Sequence, residues 1–361
     1  MATERQIKKI VDQFESAQNS LVLQSSDFSL ETIAKMVEQG AIDASPQYQR
    51  RERWSHEAQS LLIESFLLNV PVPPVYLAED DFGTYSVIDG KQRITAISQF
   101  MRDKFKLKGL EEFPGLEGVF FKDLPRELKN ALSIRPYIRV VTLLKQTSPE
   151  LKYEVFTRLN SGGEPLLAQE IRNALFRGKL NDEIMLASGA PFLSQQLKIK
   201  TKKETAYTTM QDVELVLRFL TLENSWTDFS GDMRRSMDKF MEDNAKINIT
   251  KRNALSSKFS IALGRCEILW GEDSFKRPST NTDTRDQFLS GLYDAQMIAV
   301  SKLSENKFKK IVSNIASARK ETKALFKDLQ FDDSVRRSTN SPVRVKYRIT
   351  KMIDTLESIG R

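Results

Sequence analysis

The sequence contains very little of the chemistry that most metal and redox sites require. Among its 361 residues there is one cysteine, Cys266, and one histidine, His56. A single cysteine excludes an intramolecular disulfide, and a single histidine excludes an HExxH protease or a multi-histidine metal site in this chain. A Ser-His-Asp or Cys-His site would have to use His56, which follows Ser55 in the pattern of a helix N-cap and first turn. We therefore expect His56 to be an exposed or capping residue.

Long hydrophobic runs are also missing. No stretch of about 18 apolar residues occurs, so no transmembrane helix is expected, and the first 20 residues lack the apolar centre of a signal peptide. We therefore expect no membrane association and a cytoplasmic location. The composition is 40% hydrophobic and 29% charged, which is typical of a globular protein. The length accommodates two domains.

Positive charge is concentrated towards the C-terminus. The net charge is +7, and residues 251–361 contain 22 Lys and Arg against 13 Asp and Glu, whereas residues 1–250 contain 33 against 35. This asymmetry favours a surface for DNA or another polyanion. Aromatic residues are not interleaved with these cations, so a solvated, lysine-rich helical surface remains an equal interpretation.

Hydrophobic periodicity predicts an α+β fold for the first half of the chain. VYLA and TYSVI, separated by a DDFG turn, predict paired strands, and IRVVTLL at 138–144 predicts a buried strand. HEAQSLLIESFLLN predicts an amphipathic helix, and a further helix is expected within residues 1–20. Beyond about residue 180 the spacing is helical throughout. We predict one domain over 1–178, with its core from about 25, and a helical domain over 179–361 whose polar SVRRSTNSPVRVKYR tail is mobile.

Four clusters of polar residues lie at the ends of the predicted elements, where backbone groups are not used by regular structure. The first and fourth, taken alone, are as expected of solvated surfaces. The clusters are Gln49, Arg50, Arg51 and Arg53; Asp89, Gly90, Lys91, Gln92 and Arg93; Arg158, Asn160, Ser161, Gly162 and Gly163; and Gln169, Glu170, Arg172 and Asn173.

The second cluster, DGKQR, lies where a strand gives way to a helix. Unpaired amide groups at a helix start, together with the helix dipole, bind anions. Gly90 permits an unusual turn or a close phosphate approach, and Lys91 and Arg93 add positive charge. Asp89 fits such a site if it holds a divalent metal, orients a water molecule or fixes Arg93. The alternative is that Asp89 caps the helix and pairs with Arg93.

The third cluster, in FTRLNSGG, also has two interpretations. The Asn-Ser-Gly-Gly turn is typical of a helix C-cap with glycine in the left-handed conformation. It could equally form a nest of amide groups that binds an anion. Its position shortly before QEIRN favours the anion site when the clusters are considered together.

Taken in order, YQRRERW, LLIESFLLNVPVPPVYL, VIDGKQRITAI, FTRLNSGGEPLLAQEIRNALF, ELVLRFL and LYDAQMIA resemble the DGQQR-motif domain family of GmrSD-type restriction NTPases. The resemblance spans about residues 25–300. It implies a ParB/sulfiredoxin-like mixed sheet with helices, and an NTP site with Mg²⁺ built from the four clusters. The family's His-Asn-His nuclease domain is not expected here, because no histidine follows His56.

The resemblance also implies roles for individual residues. Asp89, Gln92 and Arg93 would be catalytic, with Asp89 also the candidate Mg²⁺ ligand, and Lys91 replaces the first Gln of the motif. The implied nucleotide-binding residues are Gln49, Arg50, Arg53, Gly90, Lys91, Arg158, Asn160, Ser161, Gly162, Gly163, Gln169, Arg172 and Asn173.

The expected function is a nucleotide-binding and hydrolysing switch in a bacterial restriction-type defence system. Expected partners are DNA, through the basic C-terminal domain, and a separate nuclease or defence subunit. One alternative is a non-hydrolysing DNA-binding adaptor with a decayed site, of which Lys91 is a trace. The other is a stand-alone metal-dependent nuclease. The nucleotide base and the oligomeric state stay open.

Overall fold

The computed structural model describes residues 21–44, 54–159, 167–278 and 286–360, together with positions 8, 10–12 and 14. The chain divides into two compact units, Met1–Leu175 and Phe176–Arg361. In the described residues the first unit contains a mixed β-sheet with helices, and the second is mostly helical. This confirms the predicted α+β class.

The N-terminal unit is built on a five-stranded sheet. The strands are β1 Leu23–Ser29, β2 Ile42–Asp43, β3 Val75–Asp81, β4 Thr84–Asp89 and β5 Tyr137–Leu143. Their order in the sheet is β1-β5-β3-β4-β2. β1 and β5 are antiparallel, as are β3 and β4, whereas β5 with β3 and β4 with β2 are parallel. The helices are α1 Leu30–Glu38, α2 His56–Leu67, α3 Lys91–Met101, α4 Arg126–Ile134, α5 Pro149–Leu159 and α6 Ala168–Leu175.

The two faces of the sheet bury different helices. Because side chains alternate along a strand, Val87 of β4 joins a core with residues of α1, α2 and α3, such as Ile33, Ile63 and Ile97. Its neighbour Ile88 joins a smaller core with α5 and α6 on the other face. The three predicted strands and the β3–β4 hairpin are therefore confirmed.

The two edge strands were not assigned from the sequence. β1, LQSSDFS, is mostly exposed and polar, so it has no apolar alternation to indicate a strand. β1 is a strand because it pairs with β5, from Leu23 opposite Leu143 to Ser29 opposite Tyr137. Tertiary pairing thus decides a segment whose composition alone favours a loop.

Two serines cap helices in this unit, and the predicted cap at Ser55 is confirmed. Ser29 accepts a hydrogen bond from the Thr32 amide at 3.1 Å, and Ser55 accepts one from the Ala58 amide at 3.2 Å. His56 follows in the first turn of α2, where it is exposed and stacks on Phe105 with a centroid separation of 5.7 Å. The prediction for His56 is therefore confirmed. Most of the helix expected within 1–20 lies outside the described residues.

Glu64 ties α2 to the loop that follows α3. Its buried carboxylate accepts the backbone amides of Glu112 at 2.8 Å, Phe113 at 3.0 Å and Glu111 at 3.2 Å. Burial acts to raise the pKa of Glu64, but the three amide donors outweigh it and hold that pKa below its usual value. The ionised carboxylate is therefore the form that stabilises this loop.

The C-terminal unit is mostly helical over its described residues, and its longest helix there is Ile249–Trp270, with 22 residues. No helix in the described parts of the chain is long and apolar enough to cross a bilayer. The helices are α7 Lys179–Ser188, α8 Pro191–Gln196, α9 Thr205–Thr208, α10 Gln211–Ser225, α11 Met233–Asp243, α12 Ile249–Trp270, α13 Ser290–Lys302, α14 Glu305–Ser313, α15 Ile315–Ala324, α16 Leu329–Arg336 and α17 Pro342–Ile359.

The prediction of a mobile polar tail was wrong. The segment forms the end of α16 and the first part of α17, and its Arg348 is fully buried. Arg348 donates to Asp294 at 2.5 Å, and Arg218 donates to the same carboxylate through two bonds of 2.7 Å. The sequence suggested a loop because the cations are dense, whereas buried and neighbouring Asp residues neutralise several of them in the fold.

Candidate functional site

The DGKQR junction connects β4 to α3 and requires glycine at its centre. Gly90 has φ +90°, in the left-handed region. A Cβ at this position would lie 2.4 Å from Cγ1 of Val75, well inside van der Waals contact. Gly90 is also the N-cap of α3 and supplies no side chain to cap the first turn. Backbone conformation and close packing therefore both select glycine here.

Asp89 and Arg93 form an ion pair across this junction. Nη2 of Arg93 lies 2.6 Å from Oδ2 of Asp89, and Nη1 donates to the Pro73 carbonyl at 3.4 Å. The Arg93 side chain is 14% exposed and that of Asp89 is 37% exposed. Arg93 therefore connects the end of β4 to the chain that enters β3. This pairing agrees with the alternative interpretation of Asp89, in which it pairs with Arg93.

A cleft of about 650 Å³ lies beside the junction, within the range of small-ligand sites. Three parts of the N-terminal unit form it: the end of α1 with β2, the start of α2, and one face of α3. Its lining residues are Val37, Gly40, Ile42, Asp43, Ala44, Trp54, Ser55, His56, Gln59, Lys91, Gln92, Thr95, Ser98, Gln99 and Arg102.

Two helices begin at this cleft. α2 starts directly after Ser55, and α3 starts directly after Gly90. From these two helix starts, the cleft is lined by Ser55, His56, Lys91 and Gln92. Each helix N-terminus presents amide groups and a partial positive charge. Lys91 adds a full positive charge, and the first turn of α3 contains no acidic residue. This end of the cleft therefore favours an anion.

Glu57 brings a negative charge to the first turn of α2, but a neighbouring cation holds it. Its carboxylate lies 2.5 Å from Nζ of Lys108. The hydrogen bond from Lys108 lowers the pKa of Glu57 to about 2. Glu57 is therefore ionised and paired with Lys108, and it is not among the cleft's lining residues.

Gln92 and Gln59 hold the peptide groups of Trp54 between the two helix starts. The Trp54 amide donates to Oε1 of Gln92 at 3.3 Å, and Nε2 of Gln59 donates to the Trp54 carbonyl at 3.0 Å. Oε1 of Gln59 is buried without a hydrogen-bond partner, and Gln59 itself is 7% exposed. An unsatisfied buried acceptor in a cleft indicates room for a ligand or water that donates to it.

The QEIRN residues lie elsewhere in the unit. Nη1 of Arg172 donates to Oε1 of Gln169 at 2.7 Å, and Nε2 of Gln169 donates to Oδ1 of Asn173 at 2.9 Å. All three are buried. They belong to α6, whose Ile171 packs with Ile88 on the face of the sheet opposite Val87, and none of them lines the cleft.

The structure thus brings together only part of the predicted nucleotide site. Lys91 and Gln92 line the cleft with Gly90 directly before them, whereas Arg158 is an exposed residue of α5 that pairs with Glu154 at 2.7 Å. The remaining predicted residues lie outside the described part of the chain: Gln49, Arg50, Arg53, Asn160, Ser161, Gly162 and Gly163. Ala44 and Trp54, which flank the first of these segments, both line the cleft.

Several lining residues were missed by motif reasoning. Thr95, Ser98, Gln99 and Arg102 continue the face of α3 that begins at Lys91 and Gln92. The spacing of three and four residues placed them on one side of the helix, opposite the apolar residues that enter the core. Periodicity of polar residues was therefore the available signal, although it does not distinguish a cleft from a solvated surface.

An α+β unit whose cleft gathers two helix starts beside a lysine is suited to an anionic ligand. Residues 30–177 match the family described as the N-terminal domain of the GmrSD restriction endonuclease. The match runs from the first residue of α1 to just beyond α6 and includes the whole cleft. Comparisons with curated proteins and with solved structures find no match.

The family confirms the resemblance deduced from the sequence motifs. The match supports a component of a restriction-type defence system. Within the described residues, no group of three or more His, Cys, Asp or Glu side chains is arranged to hold a metal ion.

Proposed function

We propose that the N-terminal unit binds and hydrolyses a nucleoside triphosphate in the cleft between α2 and α3, as a switch within a restriction-type defence system. The observation that supports this most directly is the convergence of two helix N-termini on Lys91. A polyphosphate is an anion of matching size and charge, because backbone amides can surround its oxygens while lysine neutralises them.

Gly90 contributes to phosphate binding through its backbone. Its left-handed conformation forms the N-cap of α3 without a side-chain cap, so amide groups of the first turn are available to a phosphate. Lys91 takes the position where the family motif has glutamine, and its charge strengthens attraction to phosphate. Arg50 and Arg53 belong to a segment whose flanking residues line the cleft, so we include them as additional phosphate-binding candidates.

We propose Asp89 and Asp43 as the candidate ligands of Mg²⁺. This ion is commonly held by one or two carboxylates together with the substrate's phosphates and water. Asp89 directly precedes the phosphate-binding turn, and its Oδ2 is engaged by Arg93, which leaves Oδ1 as the candidate ligand. Mg²⁺ bound here would supply charge neutralisation on phosphate oxygens. Asp43 is a second carboxylate lining the cleft.

DNA binding is proposed for the C-terminal unit. From α14 to Lys327 the chain contains seven Lys and Arg against two Glu, and Lys309, Lys320, Lys323 and Lys327 are exposed. The arginines of α16 and α17 are less available, because Asp332, Asp333 and Asp294 pair with them. We therefore assign the DNA surface to α14 and α15, acting with a separate nuclease or defence subunit.

A non-hydrolysing adaptor is the second candidate function. The ion pair of Asp89 with Arg93 favours it, because a carboxylate committed to an arginine is a weaker metal ligand and a weaker base. In that case the cleft would bind nucleotide without turnover, or bind none, and the basic helices would act alone.

A nucleotide panel tests the proposal. Purified protein would be titrated with ATP, GTP, CTP and UTP in the presence of Mg²⁺, with and without DNA, while binding and released phosphate are measured. We expect Lys91→Ala to weaken binding and Asp89→Asn to reduce turnover with binding retained. Arg158→Ala, an exposed arginine away from the cleft, is the matched control and should behave as the wild type.

Three outcomes separate the candidates. Binding and turnover that respond to the cleft variants but not to Arg158→Ala support the switch. Binding without turnover supports a non-hydrolysing component. If no nucleotide binds the wild-type protein, the proposed nucleotide site is wrong and DNA binding by the C-terminal unit becomes the function to test.

A further inference from the structure

The cleft is a groove that follows α3 along its whole length. Every turn of this helix contributes one or two lining residues, from Lys91 at the start to Arg102 just beyond the end. A rise of 1.5 Å per residue makes this distance about 16 Å. The groove is therefore long enough to hold a ligand whose two ends differ in chemistry.

The two ends of the groove have opposite electrostatic character. At the Lys91 end, α2 and α3 both begin. At the Arg102 end, α3 finishes at Met101 and α1 finishes at Glu38, with Val37 and Gly40 lining the wall. Two helix N-termini favour negative charge, whereas two helix C-termini disfavour it. A ligand with one charged end would therefore place that negative end beside Lys91 and its uncharged end beside Arg102.

Arg102 does not reverse this polarity. Its Nη2 lies 3.4 Å from Oε1 of Glu38, in the last turn of α1. The pair is partly exposed and roughly neutral, and the carbonyl ends of both helices surround it. Glu38 and the two helix C-termini would repel a triphosphate at this end. They would not repel an uncharged, polar group.

Polar side chains line the middle and far parts of the groove. On α3 they are Thr95, Ser98 and Gln99. Ser98 is 4% exposed and Gln59 is 7% exposed, and Oε1 of Gln59 has no partner. Buried polar groups normally have partners, so the unpaired Oε1 of Gln59 indicates a polar ligand that donates to it.

We propose that the nucleotide lies along α3, with its phosphates at the Lys91 end and its base at the Gln99 end, and that Gln99 determines which base is preferred. This proposal rests on the proposed function and adds the orientation of the substrate and a specificity-determining residue. A glutamine amide can donate and accept at once, so it pairs with the edge of a base. Thr95 and Gln59, between the two ends, would face the sugar.

Calorimetric titration with ATP, GTP, CTP and UTP tests the orientation. The wild-type protein should prefer one base over the least favoured by about 5- to 150-fold, which is the range of one amide–base contact. Gln99→Ala should reduce this ratio towards 1. Lys91→Ala should weaken all four triphosphates by one common factor, with a smaller loss for diphosphates and none for nucleosides. Gln195→Ala, an exposed glutamine of the other unit, is the matched control.

Each result decides a separate statement. If Gln99→Ala leaves the base preference unchanged while Lys91→Ala weakens every triphosphate, the base does not lie at Gln99, and the proposed nucleotide site stands. Equal affinity of the wild type for all four bases also overturns the role of Gln99. If the wild type binds no nucleotide, both the orientation and the proposed function fail.

Discussion

Replacing Gly90 by alanine should destabilise the N-terminal unit more than an ordinary glycine substitution does. Two effects add at this position. A residue with a Cβ at φ +90° costs about 1–2 kcal/mol. Overlap of that Cβ with Val75, 2.4 Å away, costs about 1–3 kcal/mol more, because the packed neighbours must shift. The expected total is about 2–5 kcal/mol.

Gly83 provides the matched control for this substitution. It also has a left-handed backbone, with φ +76°, but a Cβ there meets nothing within 4 Å. Gly83→Ala should therefore cost only the conformational term of about 1–2 kcal/mol. The difference between the two variants isolates the contact with Val75, and the double variant Gly90→Ala, Val75→Ala should remove part of that difference.

Amide hydrogen exchange of peptides from β3 and α3 is the appropriate assay, since it reports on this unit alone. A loss of 2–5 kcal/mol corresponds to exchange that is roughly 30-fold to several thousand-fold faster than in the wild type. Equal acceleration in Gly90→Ala and Gly83→Ala would refute the reasoning, because it would show that close packing against Val75 contributes nothing.

Three further predictions concern buried charge, acid stability and DNA. Asp294→Asn should cost about 3–5 kcal/mol, measured by thermal unfolding, because two buried arginines lose their shared carboxylate. Because the folded-state pKa of Glu64 lies below its ordinary value of 4.5, its contribution to stability is present above pH 4.5 and is lost as the pH falls through the folded-state pKa. Glu64→Gln should flatten that loss in urea unfolding between neutral and acid pH. Alanine at Lys309, Lys320 and Lys323 should weaken duplex DNA binding and lower its salt slope by up to about 2.7.

Each of these has a control. Arg158→Ala, which breaks an exposed pair, should change unfolding by no more than about 0.5 kcal/mol, and a similarly small effect of Asp294→Asn would contradict the role of the buried network. A pH dependence that persists in Glu64→Gln would assign it to other carboxylates. An unchanged salt slope in the triple lysine variant would place the DNA surface elsewhere.

The local sequence determined the elements whose signals are local. Apolar alternation and branched residues specified β3, β4 and β5, and the capping residues Ser29 and Ser55 specified where α1 and α2 begin. The strand–glycine–helix pattern around Gly90 specified a turn whose amide groups suit an anion. These features follow from neighbours a few residues apart, so a linear pattern is sufficient to predict them.

Tertiary structure decided which of the polar clusters share a site. Lys91 and Gln92 face the cleft, whereas Gln169, Arg172 and Asn173 hydrogen-bond one another on α6, behind the sheet. Sequence spacing cannot separate these cases, because both are polar residues near helix starts. The groove itself depends on three segments distant in sequence, α1, α2 and α3, whose ends meet only after the sheet is assembled. Folding also decides which cations of the C-terminal unit are available. Buried and adjacent Asp residues pair with the arginines of α16 and α17, whereas lysines on α14 and α15 are exposed.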